Sequence, residues 1–525
     1  MTASSRSAAG QRVVVVGAGV GGLATAVRLL AAGHRVTVLE RAPAPGGKMR
    51  QIAVGDRLFD GGPSVMTMPF VLDDLCAAGG VRREDLVRLL PLDPICRHFF
   101  PDGTVLDLFA DEAVAPGQRR EAAWARSREE IRRVLSATAA AQFDRFRLHA
   151  ARIYDAVEGP FLRSPLPRHP LALLFTRRFR DLLGLRHLDA GRSLWQALGS
   201  FFDDERLRVL WARYATYSGA DPFLAPATLA VIPHVELAFG VYAIEGGMYR
   251  VAEALTELIK RLGGELRCGA DVEAIELDAA EARAIAVRAG GERLEADHVV
   301  VNTDVSQLYQ RFLAGTRLSA AQGPPVEALP PSLSAYLNLI VAEGAGALPL
   351  THHNVFFSED YEREFAELRR GPPSEPTVYL CDPDAGQDTQ RWFFLTNAPA
   401  LPRPGGPEAE AATSRWTAAE QDACRARVAA QLLRHGIRLE QHARAEQTVT
   451  PRDFAERFPL SRGAIYGAAA SSRTAAFKRP PNRVPGVKNL FCVGGSTHPG
   501  AGVPMVMLSA QIVSDLIASQ RAGKG

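Results

Sequence analysis

The sequence predicts an α/β fold whose parallel sheet is assembled from distant parts of the chain. Near its start, "RVVVVGAGVGGLATAVRLL" places an apolar strand before a glycine-rich turn and a helical pattern. The same order of strand, glycine turn and helix recurs near the end, in "NLFCVGGSTHPGAGVPMVMLSAQIVSDLI". Between them, "LGGELRCGADVEAIELD" and "RAIAVRAGGERLEADHVVVNTD" indicate a hairpin and a returning strand. Continuous apolar strands followed by helices are typical of parallel sheets.

The first of these turns has the spacing of a dinucleotide-binding motif. Gly17, Gly19 and Gly22 follow the strand as GxGxxG, which suits a tight turn, close approach to a pyrophosphate and close helix packing. The helix from about Gly21 to Ala32 directs its positive end at the phosphates. Glu40 ends the next strand, "RVTVLE", where a carboxylate can accept ribose hydroxyls. A Rossmann-type site is predicted, and an ordinary glycine turn is the alternative.

The residues after Glu40 extend this site along a longer dinucleotide. "RAPAPGGKMRQ" combines glycines with basic residues, and "FDGGPSVMTM" adds a second glycine pair stiffened by a proline. A glycine-rich surface loop is the alternative. Together, the segments from the first strand to Met68 resemble the flavin-binding start of the amine oxidase and carotenoid desaturase superfamily. The candidate cofactor contacts are Arg41, Gly46, Gly47, Lys48, Arg50, Gly62 and Pro63.

This resemblance implies that the second turn completes one FAD site. In such flavoproteins, a C-terminal strand-to-helix turn meets the flavin end of the cofactor, while the first turn holds the adenosine end. Gly494 and Gly495 would form that turn, and Val503 and Pro504 would begin the helix, where proline is tolerated. Ser496 stands where an acidic residue often follows the glycine pair, so its hydroxyl or a backbone N–H would contact the cofactor. Val272 would pack on the adenine.

Further motifs narrow the resemblance to bacterial phytoene-type carotenoid desaturases. They are "RYATYSGADPFLAPATL", "HHNVFFSEDYEREF", "DFAERFPLSRGAIYG" and "THPGAGVP". "IYDAVEGPFL", "DGGPSVMTM" and "GGSTHPGAGVPMVMLS" most resemble the 1-hydroxycarotenoid 3,4-desaturase branch. The resemblance implies an FAD-dependent enzyme that introduces a C-3,4 double bond into acyclic 1-hydroxy- or 1-methoxycarotenoids. The alternatives are a phytoene desaturase or a carotenoid isomerase or oxidase, a flavin amine oxidase, and a non-catalytic flavin- or carotenoid-binding protein.

The same resemblance implies the fold of the amine oxidase and glutathione reductase-like superfamily, in which the FAD domain is discontinuous. We expect the FAD-binding domain to comprise residues 10–70, 240–305 and 483–522. The substrate domain, of α+β type, would comprise residues 71–239 and 306–482. Residues 119–239 read as largely helical, and this part is predicted to face a membrane.

Two histidines are candidate catalytic residues. His498 lies in the second turn and could relay a proton, although a structural histidine bonded to backbone is the favoured alternative. His352 and His353 are adjacent, and neighbouring side chains on a strand point to opposite faces. At most one, His353, would therefore enter a substrate tunnel. The sequence shows no Ser-His-Asp order, no HExxH and no metal cluster, so no metal site is predicted.

Composition restricts the location and the partners. The chain has 525 residues, 47% of them hydrophobic, and a net charge of +3, which gives no case for nucleic acid binding. Its N-terminus lacks the apolar core of a secretion signal, and no stretch reaches the roughly 18 apolar residues of a spanning helix. We expect a cytoplasmic protein that associates peripherally with the inner or intracytoplasmic membrane through Arg163 to Leu188. Oxygen or a membrane quinone would accept the electrons.

Overall fold

The computed structural model describes residues 10–110, 124–166, 188–189, 191–403, 416–472 and 475–521. Within these ranges the strands are, in chain order, β1 (Arg12–Val16), β2 (Arg35–Glu40), β3 (Gln51–Val54), β4 (Arg57–Asp60), β5 (Leu89–Pro91), β6 (Cys96–Phe99), β7 (Val105–Leu108), β8 (Tyr242–Ile244), β9 (Glu265–Cys268), β10 (Val272–Leu277), β11 (Ala284–Ala289), β12 (Glu292–Glu295), β13 (His298–Val301), β14 (Ser334–Ala342), β15 (His353–Phe356), β16 (Val378–Cys381), β17 (Gln390–Ala398), β18 (Ala443–Val449) and β19 (Leu490–Cys492).

The α-helices of the same ranges are α1 (Val20–Ala31), α2 (Pro69–Ala78), α3 (Ala125–Val134), α4 (Ala137–Val157), α5 (Leu194–Gly199), α6 (Glu205–Ala212), α7 (Val231–Phe239), α8 (Arg250–Arg261), α9 (Val305–Gln307), α10 (Arg317–Glu327), α11 (Tyr361–Leu368), α12 (Ala418–Leu433), α13 (Leu439–His442), α14 (Pro451–Arg457), α15 (Ala475–Lys478) and α16 (Val503–Arg521). Short 3₁₀ turns cover Arg83–Asp85, Arg213–Ser218 and Ala227–Ala230, and π turns cover Glu158–Leu162 and Leu308–Phe312.

A five-stranded parallel sheet, in the order β19-β13-β1-β2-β9, brings the two glycine-rich turns together. β1 lies at its centre and pairs with β13 on one side and β2 on the other. Four of its five residues are buried, because helices on one face and the β10–β12 hairpin layer on the other cover the sheet. The predicted α/β fold, with strands drawn from distant segments, is confirmed.

Helices α1, α8 and α16 form a shared core on one face of this sheet. α16 is the helix of the described chain that is long and apolar enough to cross a membrane, judged by length and composition alone. Its Met507, Leu508, Val513 and Ile517 are at most 1% exposed and pack with α1. The burial of these side chains accounts for its apolar character.

A second, mixed sheet of seven strands has the order β18-β14-β17-β16-β15-β6-β7. Its second strand, β14, lies between β18 and β17 and is buried at every position because both faces are covered. Ile340, Trp392 and Phe394 pack on one face against α12. Alternate residues, such as Leu337 and Phe393, face the other way and pack with β3 and β4.

Helices α3 to α7 enclose an aromatic core beside this sheet. Phe143 stacks on Trp211 with ring centroids 5.4 Å apart, and Phe146 and Phe202 pack around them. This part is helical as the sequence predicts, over the residues that the structure describes. Most of the expected membrane segment, from Arg163 to Leu188, lies outside the described residues.

Candidate functional site

One large cavity runs between the two sheets and has a volume of about 960 Å³, at the upper end of the range for ligand pockets. Both glycine-rich turns open into it. Of the predicted cofactor contacts, those that line it are Gly17, Gly19, Glu40, Arg41, Gly46, Gly47, Lys48, Arg50, Gly62, Pro63, Val272, Gly494, Gly495, Ser496 and Val503. Gly22 and Pro504 are buried just behind this wall.

The first turn is packed so closely that side chains cannot enter. A Cβ on Gly22 would lie 2.1 Å from the carbonyl oxygen of Gly17, so this glycine permits the contact between helix and turn. Gly17 itself has φ +97°, a conformation that favours glycine. A Cβ on Gly47 would come within 3.1 Å of the Cα of Gly19. The turn therefore offers bare backbone to the cavity.

Glu40 joins the turn to the segment that follows β2. Its carboxylate accepts hydrogen bonds from the backbone N–H of Ala18, at 2.7 Å, and of Ala42, at 2.8 Å. Each oxygen accepts one of these bonds and keeps a further lone pair for another donor. The predicted ribose contact remains a proposal, and the structure adds a second role in holding the loops together.

Two of the cationic residues that line the cavity, Lys48 and Arg50, are largely removed from water. The Lys48 amine donates to the carbonyl oxygen of Ile465 at 2.7 Å, and burial lowers its pKa to about 8. Burial, followed by the charge of Arg457, lowers the pKa of Arg50 to about 10. Removal of a cation from water is costly unless an anion compensates. This part of the wall is therefore suited to a ligand with negative charge. Arg41 is exposed and donates to the carbonyl of Arg457.

Contacts with Asn302 and with the backbone of Val305 hold the second turn in place. Gly494 has φ +111°, and a Cβ there would lie 2.7 Å from Oδ1 of Asn302. The Ser496 hydroxyl accepts from the N–H of Val305 at 3.1 Å, so it braces the neighbouring loop. Helix α16 begins at Val503, and both Val503 and Val506 line the cavity. The positive end of the α16 dipole therefore opens onto this space.

Asn302 is a site residue that the sequence analysis missed. It follows the buried strand β13, and its Nδ2 donates to the carbonyl of Gly17 at 3.3 Å. Its side chain fills the space beside Gly19, Gly21 and Gly494, so it sits between the two turns. A polar residue at the carboxyl end of a parallel strand was the available signal.

His498 faces away from the cavity wall. Its Nε2 lies 2.9 Å from the carbonyl oxygen of Ser164, its carbonyl accepts from Asn482 and Ser509, and it does not line the cavity. Burial lowers its pKa to about 4, so the imidazole is neutral near pH 7. This arrangement has the features of a structural histidine, which the sequence analysis favoured over a proton relay.

His353 begins β15 and is buried, and burial, followed by the charge of Arg213, lowers its pKa to about 3. His352 precedes the strand, and its Nδ1 lies 3.8 Å from the Cys381 sulfur. Neither histidine lines the cavity. The catalytic role of His353 therefore stays a prediction.

The cavity fits a dinucleotide. It combines a glycine cradle at two helix N-termini, a carboxylate at the end of β2 and two desolvated cations. The sequence profile of the family described as "Flavin containing amine oxidoreductase" matches residues 20–518. The chain belongs to this family. FAD is its cofactor, and the enzyme class predicted from the sequence, a flavin-dependent oxidoreductase, is confirmed.

Curated relatives confirm the resemblance to carotenoid desaturases. A hydroxyneurosporene desaturase of Rubrivivax gelatinosus is 38% identical, over 96% of this chain and 93% of the relative. One from Cereibacter sphaeroides is 37% identical over 98% of both chains. Among solved structures, a putrescine oxidase variant superimposes with a TM-score of 0.61 at 17% identity, covering 97% of this chain and 99% of that one. An oxidoreductase from Methanosarcina mazei gives 0.60 at 18%, over 96% and 100%. These two likenesses show the fold.

Proposed function

We propose that this chain is an FAD-dependent desaturase that introduces a C-3,4 double bond into acyclic 1-hydroxy- or 1-methoxycarotenoids. The observation that carries the proposal is the continuity of the cofactor cavity with an apolar wall. Beyond the glycine turns, the same cavity is lined by Ala335, Leu337, Phe393, Leu395 and Ile465. An apolar wall next to the cofactor turns suits a hydrocarbon chain. The names of the full-length relatives support the choice of carotenoid.

When bound, FAD supplies the hydride acceptor for removal of a C–H hydrogen. The chain's own residues orient the substrate and exclude water from the reacting carbon. The N-terminal end of α16 favours negative charge on the cavity side of the second turn. Positive charge that develops on an allylic carbon spreads along the polyene, so the adjacent proton can leave to water or to a weak base. Oxygen or a membrane quinone is our proposal for the electron acceptor.

The test of this function is product analysis in cells that make either 1-hydroxyneurosporene or phytoene. We expect the first host to accumulate a carotenoid two mass units lighter, with a red-shifted spectrum. Conversion of phytoene without conversion of the hydroxylated carotenoid would instead indicate the sister desaturase activity. A purified enzyme that is reduced by polyamines and by no carotenoid would indicate an amine oxidase.

We also propose that the protein collects its substrate at the surface of the inner or intracytoplasmic membrane. The segment from Arg163 to Leu188 mixes leucine and phenylalanine with arginines, a pattern typical of interfacial segments. Next to the cofactor domain, α7 presents Val231, Val235 and Phe239 on one side, and all three remain partly accessible. An apolar helix face of this kind could continue the path of a lipid-soluble substrate.

Replacing Leu173, Leu174 and Phe175 together with Ser is expected to release the protein from vesicles of phosphatidylglycerol and phosphatidylethanolamine. Apolar side chains that insert into the lipid contribute about 1.5–3 kcal/mol each to such binding, so loss of three of them should lower flotation by more than tenfold. Flavin absorbance should persist, because none of the three replaced residues is a predicted cofactor contact. Leu433→Ser, at an exposed leucine of α12, is the matched control. Undiminished flotation of the triple variant would rule out this segment as the anchor.

A further inference from the structure

A buried arginine lies in the substrate domain, outside the FAD-type site. Arg213 follows α6 in a 3₁₀ turn and is 0% exposed. Its Nη1 donates to the Tyr217 hydroxyl at 2.9 Å, its Nε donates to His98 Nε2 at 3.2 Å, and its guanidinium lies 4.1 Å from the ring centre of Tyr214. Nη2 is equally buried, yet it has no hydrogen-bond partner among the described residues.

The hydrogen bonds of Arg213 in the described structure go to neutral groups. The Nδ1 of His98 lies 3.1 Å from the carbonyl oxygen of Leu106, which fixes the proton there and leaves Nε2 to accept from Arg213. Burial, followed by the charge of Arg213, holds the pKa of His98 well below its usual value. Glu236 accepts from the Tyr214 hydroxyl at 2.8 Å, and burial raises its pKa. A buried donor left over in such a cluster requires an explanation.

The register of the second sheet places this cluster beside the apolar wall of the cavity. Tyr379 in β16 stands directly opposite Leu395 in β17, and Leu395 lines the cavity. The Tyr379 hydroxyl is 2.9 Å from Thr216 Oγ1 in the Arg213 turn. Val355 in β15 pairs with Tyr379 on one side and with His98 of β6 on the other. His98 therefore lies in the same row of the sheet as Tyr379 and Leu395. Adjacent strands are about 4.8 Å apart, so the cluster begins one strand away from the cavity wall.

One side chain of the cluster is partly accessible. Tyr217, whose hydroxyl accepts from Arg213, keeps part of its surface exposed, so a ligand can approach the cluster at this residue. Two residues later, Gly219 packs against Tyr466, which lines the cavity: a Cβ on Gly219 would lie 2.7 Å from Cδ2 of Tyr466. The Arg213 turn is therefore in contact with the cavity wall at its far end as well.

We propose that Arg213 donates a hydrogen bond from Nη2 to the C-1 oxygen of the substrate, and that Tyr217 positions the guanidinium for this contact. The inference rests on the proposed function. Hydroxyl and methoxy groups share one property, an acceptor oxygen, and an arginine is a donor only. C-1 is two bonds from C-3, so a polar group that reads the C-1 oxygen must lie close to the reacting carbons. The cluster lies one strand away from Leu395, which lines the cofactor cavity.

The test compares 1-hydroxyneurosporene with neurosporene, which lacks the oxygen, in the wild type and in Arg213→Met and Tyr217→Phe. Two quantities are measured: the ratio of kcat/KM for the two carotenoids, and the ratio of their affinities from the shift in carotenoid absorption on titration into the holoenzyme. We expect the wild type to prefer the hydroxylated carotenoid by about 10–100-fold. Each variant should lose most of that preference. Tyr336→Phe is the control and should retain the preference, because the Tyr336 hydroxyl donates to the carbonyl of Gln421 in α12.

The outcomes separate this inference from the proposed function. A wild type that does not distinguish the two carotenoids in binding overturns the inference, whatever its activity. A preference that survives in both variants overturns it as well. If the wild type turns over neither carotenoid but binds the hydroxylated one more tightly through Arg213, the inference holds and the proposed function fails. Should Arg213→Met fail to fold, Tyr217→Phe decides, because it removes a single hydroxyl.

Discussion

Gly22→Ala is expected to purify with little bound flavin. The new Cβ would lie 2.1 Å from the carbonyl oxygen of Gly17 and 3.0 Å from Nδ2 of Asn302. The first contact is with backbone, so the turn or α1 must move, and a forced backbone shift of this kind costs about 1–3 kcal/mol. Because this turn is predicted to present its backbone amides to the cofactor, we expect flavin affinity to fall by about 100-fold, measured by titration of the apoprotein with FAD. The ratio of flavin to protein absorbance of the purified variant should fall as well.

The matched control for Gly22→Ala is Gly371→Ala. A Cβ on Gly371 would meet nothing within 4 Å, and no left-handed φ is involved. This variant should retain full flavin content. If Gly22→Ala also retained full flavin at wild-type affinity, the first turn would not be part of the cofactor site as we describe it.

Arg479→Met should have the second large effect, through the other turn. Arg479 is 8% exposed, and it donates to the carbonyls of Gly495 at 2.8 Å and Ala468 at 3.2 Å. Burial lowers the pKa of Arg479 to about 10, so it is cationic at neutral pH. Methionine has similar length but no donor, and each buried carbonyl left unpaired costs about 1–3 kcal/mol. We expect the free energy of unfolding to fall by about 3 kcal/mol.

Flavin binding reports whether that loss is local to the turn. Gly495 lines the cavity, so Arg479→Met should also weaken flavin affinity by about tenfold or more, read by fluorescence titration. Arg82→Met removes an exposed ion pair with Asp85 and is the control, with an expected change within about 0.5 kcal/mol. Equal stability of the two variants in urea unfolding would show that Arg479 does not fasten the second turn.

The parts of the site that could be predicted from sequence are the positions where only one or two residue types fit. Gly17 and Gly22 must be glycine where backbone approaches backbone, and such spacing is visible in one sequence. Arg479 acts through contacts with two other segments of the chain, so no local pattern marks it, and the local signal for Asn302 is its place directly after a buried strand. Ser496 shows the limit of analogy, because its hydroxyl bonds to the N–H of Val305. His353 was suggested by residue type, whereas its depth in the sheet depends on tertiary packing.

The second sheet shows the same division. The strand around His352 and His353 was anticipated, and opposite faces for adjacent residues follow from the strand period. The row formed by His98, Val355, Tyr379 and Leu395 crosses four strands from distant segments. Its register depends on pairings that a single sequence does not reveal. The buried position of Arg213 beside this row therefore becomes visible only in the structure.

The central claim is tested most directly by anaerobic single turnover of the FAD-loaded protein with 1-hydroxyneurosporene. The account predicts that flavin absorbance bleaches in proportion to product formed, one FAD reduced for each carotenoid that loses two mass units. With a substrate deuterated at C-3 and C-4, both of the atoms that are removed should be deuterium. Bleaching without a change in the carotenoid, loss of hydrogen from other carbons, or no bleaching with any acyclic carotenoid would contradict it.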